Sequence, residues 1–226
     1  MPTVRDQGQR PTCLAFAVTA AHEISRTVGA SMEDLSAEAL YWGCKRSDGN
    51  WIGGTSFASA STAIGRWGQP LEVACPYDPL RPPGVVYALP ERAGGKGWYR
   101  SGLQHIGTTA SEVRTYLDEG VPVALGLTLF DCFYRPDLAG RIIDPPVGAR
   151  ALGRHAVLAV GYQATELLIR NSWGTTWALG GYAWITDSYL QNYAGDAWVI
   201  DAGAAPDVAK RRANAAHVEG SNYGHS

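Results

Sequence analysis

The feature that most constrains this chain is a change in hydrophobic period partway along it. From Thr12 to Thr27 the apolar residues Leu14, Val18, Ala21 and Ile24 recur at helical spacing in an Ala-rich run, with Gly29 just beyond. This predicts a helix beginning at Cys13. A second helix is expected from an N-cap at Ser36 through Leu40 and Tyr41 to about Arg46, and a short third one around Phe57–Trp67, after a Gly-, Asp- and Asn-rich loop over Ser47–Thr55. Residues 68–107 are rich in Pro and Gly and read as largely irregular. Thr109 and Glu112 stand at capping-box spacing before a short helix that stops at Gly120. Beyond it, Val121–Leu129, His155–Tyr162, Leu167–Asn171, Gly181–Thr186 and Ala197–Asp201 are rich in Val, Ile, Leu and aromatics, the mark of strands. Helices first and strands second imply an α+β protein built as two lobes. The expected division is one domain over 1–202, with a helical lobe at about 12–107 and a β lobe at about 108–202, followed by a flexible tail at 203–226 that is Ala-, Asn- and Gly-rich.

Charge and cysteine usage narrow the function. Of the 226 residues, 19 are basic and 21 acidic, so the formal charge of -2 gives no reason to expect a nucleic-acid partner. The longest apolar runs, Val121–Leu129 and Ala156–Val160, are too short to cross a bilayer, so no membrane association is expected. The polar start, Met1 to Gly8, lacks the apolar segment of a secretory signal. Four cysteines, at 13, 44, 75 and 132, leave one thiol over if Cys13 is reactive and two of the others pair. That arithmetic favours a reducing, cytoplasmic setting over a secreted mature domain. With no CxxC or HExxH motif and five scattered histidines, neither a metal nor another cofactor is expected.

Three residues attract attention on chemical grounds. Cys13, at the first turn of a helix, would see the positive end of the helix dipole, which favours thiolate over thiol. A lone cysteine there is more often a small buried hydrophobe. His155 opens an apolar strand, where a histidine is commonly a satisfied core residue but can also face a cleft as a general base. Asn171 ends the next strand. If the two strands pair through a turn near Ala164-Thr165, its side-chain oxygen can accept from the imidazole and fix its tautomer. Alone, such an Asn is more often a turn residue.

Taken together the segments are specific. Gln7-Gly-Gln-Arg-Pro-Thr-Cys13-Leu-Ala-Phe resembles the active-site helix of papain-like cysteine peptidases. His155-Ala-Val-Leu-Ala-Val-Gly-Tyr and Asn171-Ser-Trp-Gly-Thr-Thr-Trp177 are similar to the two later blocks of that family. Gln lies six residues before Cys, His 142 after Cys and Asn 16 after His, in the family's order. The likeness extends through Leu35-Ser36-Ala37-Glu38, Gly53-Gly54, Pro76-Tyr77 and Gly180-Gly181-Tyr182, and so over most of residues 4–186. It implies a two-lobe fold, a helical N-terminal lobe and an antiparallel β-barrel-like C-terminal lobe with the active-site cleft between. It also implies a cysteine endopeptidase, with Cys13 as nucleophile, His155 as its ion-pair partner and base, Asn171 as orienter and Gln7 as oxyanion donor beside the Cys13 N–H. It implies that Trp173 shields the His155–Asn171 bond, with Trp177 nearby on the primed side of the cleft. By the same resemblance Gly53 and Gly54 pair with an extended peptide, and Ala156 helps form an apolar pocket for the second residue upstream of the cut.

The chain departs from the family pattern around the nucleophile. Arg10 stands where the family has a structural cysteine, so the bridge from this loop to the Gly-Gly loop cannot form, and the loop is expected to be held by Pro11 and packing. Cys44 and Cys75 could pair in another way. Leu14 replaces a tryptophan. Arg154, beside the histidine, is expected to disfavour basic residues in the substrate. The sequence starts 12 residues before the nucleophile with no inhibitory propeptide in it. This suggests a bacterial-type or intracellular enzyme restrained in another way, by a separate inhibitor or propeptide, or a mature domain whose propeptide has been removed. The alternatives are a thiol acyltransferase or deamidase using the same dyad, and a noncatalytic homologue that binds a peptide or protein partner.

Overall fold

The computed structural model describes residues 1, 3–27, 33–93 and 98–201. The expectations for Gly29 and for the tail at 203–226 lie outside them. The helices form where the patterning places them. α1 spans Cys13–Ser25, α2 Ala37–Asp48 and α3 Phe57–Arg66. Ser36 caps α2 by accepting from the Ala39 N–H, and Ser56 caps α3 by accepting from Ser59. α1 is buried almost all round, from Leu14 to Glu23, so it is a core helix rather than an amphipathic surface one. α4, Ala110–Asp118, is capped by Thr109. The Glu112 carboxylate accepts from the Gly107 N–H at 2.8 Å, two residues before the N-cap whose own N–H a capping box would use.

Among the described residues, six antiparallel strands form one sheet: β1 Gly102–Ile106, β2 Val123–Leu129, β3 Gly153–Gln163, β4 Glu166–Arg170, β5 Tyr182–Thr186 and β6 Ala194–Asp201, in the order β1-β6-β2-β3-β4-β5. Their alternation divides the interior into two cores. Val123, Leu125, Leu127, Val157 and Ala159 face a core closed by α4 and by α5, Asp187–Tyr193. Ala124, Ala156 and Leu158 face the opposite way, onto α1 and α3. The sheet is thus shared by both cores, and α1 packs directly on β3. Two elements were not expected. β1 falls in the stretch read as irregular and pairs along β6, from Gly102 opposite Asp201 to Ile106 opposite Ala197. α5 is a seven-residue helix, capped by Thr186, that seats Tyr189 and Leu190 in the first core. Among the described residues, no helix is long and apolar enough to cross a membrane.

The N-terminal segment ties the two sides together. The Gln7 N–H donates to Ser172 O at 2.8 Å, the Gly174 N–H donates to Arg5 O at 3.2 Å, and Asp6 bridges Trp173. Arg5 in turn reaches Leu35 O at 2.9 Å and the Glu23 carboxylate at 2.7 Å on the helical side.

Candidate active site

β3 runs antiparallel to β4, with Leu158 opposite Arg170, and the chain reverses at Ala164 with φ 44°. This brings His155 and Asn171 together, as the turn expectation required. His155 Nε2 and Asn171 Oδ1 are 2.7 Å apart, and the same Oδ1 accepts from the Ser172 N–H at 2.8 Å. A backbone N–H can only donate, so the amide orientation is fixed with its oxygen toward the ring. Nε2 therefore carries the hydrogen, and Nδ1 keeps its lone pair when the ring is neutral. Trp173 covers the ring at 4.8 Å between centroids and Phe133 at 5.9 Å, leaving His155 6% exposed. Trp177 stacks on Phe133 at 5.8 Å and meets Trp173 edge-on at 5.6 Å.

Cys13 is the first residue of α1. Its N-cap, Thr12, makes no side-chain cap to the helix; its hydroxyl lies 2.8 Å from the Tyr77 hydroxyl. Tyr77 already donates to Gln7 O at 2.7 Å, so Thr12 is the donor in that contact. The first-turn N–H groups are thereby left to Cys13. Burial pushes the Cys13 thiol up, opposed by backbone N–H groups of Ala156, Leu14 and Cys13 itself. Burial lowers His155 to about 4, opposed by the bond to Asn171. Taken singly, each residue is therefore driven toward its neutral form.

Gln7 is anchored at both ends of its amide. Nε2 donates to Arg10 O at 2.7 Å, and Oε1 accepts from Ser172 Oγ at 2.7 Å. An amide nitrogen has two N–H groups, so one remains. Gln7, Cys13 and His155 line a single cleft of about 990 Å³, together with Gly54, Ala156 and Trp173. Gly53 and Trp177 do not line it: the Gly53 carbonyl turns inward to accept from Tyr41 at 2.8 Å, and Trp177 packs behind Trp173. Past Ala156 the cleft continues over Gly126, Phe57, Trp198 and Asp196. Phe57 and Trp198 stack at 5.8 Å, and a Cβ on Gly126 would lie 3.2 Å from the Phe57 ring, so glycine holds this recess open. Arg154 is not the uncompensated cation expected, because its Nη2 lies 3.0 Å from Asp196 Oδ2.

Two buried cations that the sequence reading missed hold the loops. Arg10, 6% exposed, pairs through both terminal nitrogens with Glu38 and donates to Asp78 O at 2.6 Å; its guanidinium lies over Tyr77 at 4.7 Å. The nucleophile loop is therefore held by an ion pair, where Pro11 and packing were expected to suffice. Lys45 is fully buried and donates to Asp48 at 3.0 Å and to Gly54 O at 2.7 Å, clasping the glycine loop. All four cysteines are free thiols, so Cys44 and Cys75 do not pair.

A model of the papain family cysteine proteases matches residues 1–196. The chain is 27% identical over 220 residues to an uncharacterized peptidase C1-like protein of Acanthamoeba polyphaga mimivirus, covering 90% of this chain and 71% of that one. Cysteine proteinase 3 of Entamoeba histolytica is 29% identical over 80% of this chain and 58% of its own length. For papain of Carica papaya the figures are 27%, 79% and 50%, so this chain spans between half and three-fifths of the length of these two relatives. Among solved structures, xylellain, a cysteine protease from Xylella fastidiosa, superposes with a TM-score of 0.74 at 25% identity, covering 89% of this chain and 84% of that one. A Carica candamarcensis cysteine protease solved with E-64 gives 0.69 at 24%, over 88% and 92%.

Proposed function

The chain belongs to the papain family of cysteine proteases, and from that premise we propose that it is an active endopeptidase working through Cys13, His155, Asn171 and Gln7. The observation that carries this reading is the fixed orientation of the His155 ring. Asn171 Oδ1, pinned by the Ser172 N–H, holds Nε2 at 2.7 Å and leaves Nδ1 for the thiol in the same cleft.

In the proposed reaction the Cys13 proton resides on His155 Nδ1, and the thiolate attacks the carbonyl carbon of a peptide bond. A C–S bond forms and the carbonyl π pair moves to oxygen. The Cys13 N–H and the remaining N–H of Gln7 Nε2 then donate to that oxyanion. As the intermediate collapses, the C–N bond breaks and His155 gives its proton to the departing amine. Water, deprotonated by His155, attacks the thioester, releasing the acid and returning the proton to the dyad. The substrate lies extended beside Gly54, with one side chain in the recess over Ala156, Gly126 and Phe57.

The test is covalent labelling with a thiol-directed epoxide alongside hydrolysis of a peptide library, for wild type and Cys13→Ala. The proposal expects one label per chain, at Cys13, and hydrolysis that vanishes in the variant. An unlabelled Cys13 near neutral pH refutes it. Labelling without hydrolysis of any peptide points instead to acyl transfer.

A further inference from the structure

We propose that Arg10 is a positioning residue for the oxyanion donor: its buried pairing with Glu38 fixes the Arg10 carbonyl that holds the Gln7 amide in place. This rests on the peptidase reading of the same site. The turn from Gln7 to Thr12 has Gly8 at φ 60°, with Gly8 and Gln9 exposed, and Arg10 is the residue that dips back into the protein. Its carbonyl accepts from Gln7 Nε2 at 2.7 Å and from the Thr12 N–H at 2.8 Å. It therefore touches both the oxyanion donor and the residue preceding Cys13.

The side chain fixes that carbonyl. Arg10 Nη1 and Nη2 both meet the Glu38 carboxylate, and Nη1 also donates to Asp78 O at 2.6 Å. Glu38 is 1% exposed, and it is further held by the Asp78 N–H at 3.4 Å and by Arg81 Nε at 3.1 Å. Tyr41 and Tyr77 flank the guanidinium at 5.4 and 4.7 Å. A planar, bidentate group clamped in this way has little rotamer freedom, which suits it to hold a backbone turn. Tyr77 closes the circuit by donating to Gln7 O at 2.7 Å. Because no disulfide constrains the turn, this network does so, and it responds to charge rather than to reductant.

The experiment is a double-mutant cycle of Arg10→Met with Gln7→Ala. Two readouts are taken: peptide hydrolysis, and affinity for a peptide aldehyde, whose carbonyl carbon bonds to the thiol and places its oxygen where the oxyanion would sit. Circular dichroism checks folding. Should Arg10→Met alone fail to fold, the pair replacement Arg10→Met with Glu38→Met, which removes the ion pair whole and leaves Arg81 its Asp78 partner at 3.5 Å, takes its place. The proposal expects Arg10→Met to lower kcat at least about tenfold with KM changed less than about threefold, and to weaken aldehyde binding similarly. In the Gln7→Ala background it expects a further loss of less than about twofold, because the donor is already gone. An equal loss in both backgrounds, or unchanged kcat in the folded variant, overturns it. A wild type that binds the aldehyde but hydrolyses no peptide defeats the peptidase reading while leaving the Arg10 comparison readable on affinity.

Discussion

Replacing Asn171 with alanine removes one oxygen that serves two donors. His155 Nε2–H loses a 2.7 Å acceptor and the Ser172 N–H a 2.8 Å one, both in a buried setting. A hydrogen bond to a charged group contributes about 1.5–3 kcal/mol. At about 1.36 kcal/mol per decade, that corresponds to roughly a 10- to 150-fold loss in kcat/KM if the bond is strongest when the ring is imidazolium. The pH profile carries a sign as well as a size. The Asn171 bond raises the His155 pKa against burial, so deleting it lets burial lower that pKa further. The imidazolium then loses its proton at lower pH, and the alkaline limb of kcat/KM shifts acidward. Asn171→Asp should move the same limb the other way, since a carboxylate favours the cation. The assay is steady-state hydrolysis from pH 4 to 10, with thermal unfolding as a folding check. A kcat/KM within about twofold of wild type, with an unmoved alkaline limb, would refute the claim that Asn171 governs His155.

Other outcomes follow from the same geometry. Gln7→Ala should lower kcat by about 10²–10³ with a smaller effect on KM, the cost of losing one oxyanion donor; steady-state kinetics check it. Lys45→Ala leaves the Asp48 carboxylate and the Gly54 carbonyl without their buried cation, and should destabilise by about 3–5 kcal/mol, read as a lowered urea midpoint. Asp196→Ala frees Arg154 while removing only an exposed ion pair worth about 1 kcal/mol or less, so stability should hold while a peptide library shows a gain for acidic side chains in the recess. His22 is buried, donates from Nδ1 to Gln69 Oε1 at 2.8 Å, and has its pKa lowered to about 4 by burial. A depressed folded pKa means stability present above the unfolded value of about 6.5 and lost as pH falls toward 4, here about 3 kcal/mol. His22→Asn should flatten that slope in urea melts across the same window.

The sequence made elements legible where apolar spacing repeated over several turns or residues. α1, α2 and the paired strands β3 and β4 stand close to where their patterns place them, and the reversal at Ala164 delivers Asn171 to His155. β1 was hidden because its buried residues, Leu103 and Ile106, lie three apart and break the two-residue alternation of a strand. α5 is seven residues long with two buried side chains, too short for a helical period to emerge. Within the site, the segments around Gln7, Cys13, His155 and Asn171 carried the signal. Arg10 did not, because its partners Glu38 and Asp78 are 28 and 68 residues away. Lys45 reads as a solvated last-turn lysine, and only the fold of residues 48–54 over its ammonium reveals its role. Asp196, which neutralises Arg154, sits on a strand whose pairing with β2 no local pattern announces.

In the proposed mechanism Cys13 and His155 share charge as thiolate and imidazolium, although burial opposes each ion alone. Opposite unit charges in ion-pair contact, about 4 Å apart at an effective dielectric near 20, attract by about 4 kcal/mol, or about three pK units, which is the size of stabilisation the proposed pair requires. The α1 N-terminus adds to this. The direct measurement is the rate of Cys13 alkylation by iodoacetamide against pH, followed by intact mass. A thiolate–imidazolium pair gives a rate already on a plateau below pH 7, with the low-pH plateau lost in His155→Ala. A rate that only climbs through pH 9, as for an isolated buried thiol, would contradict it.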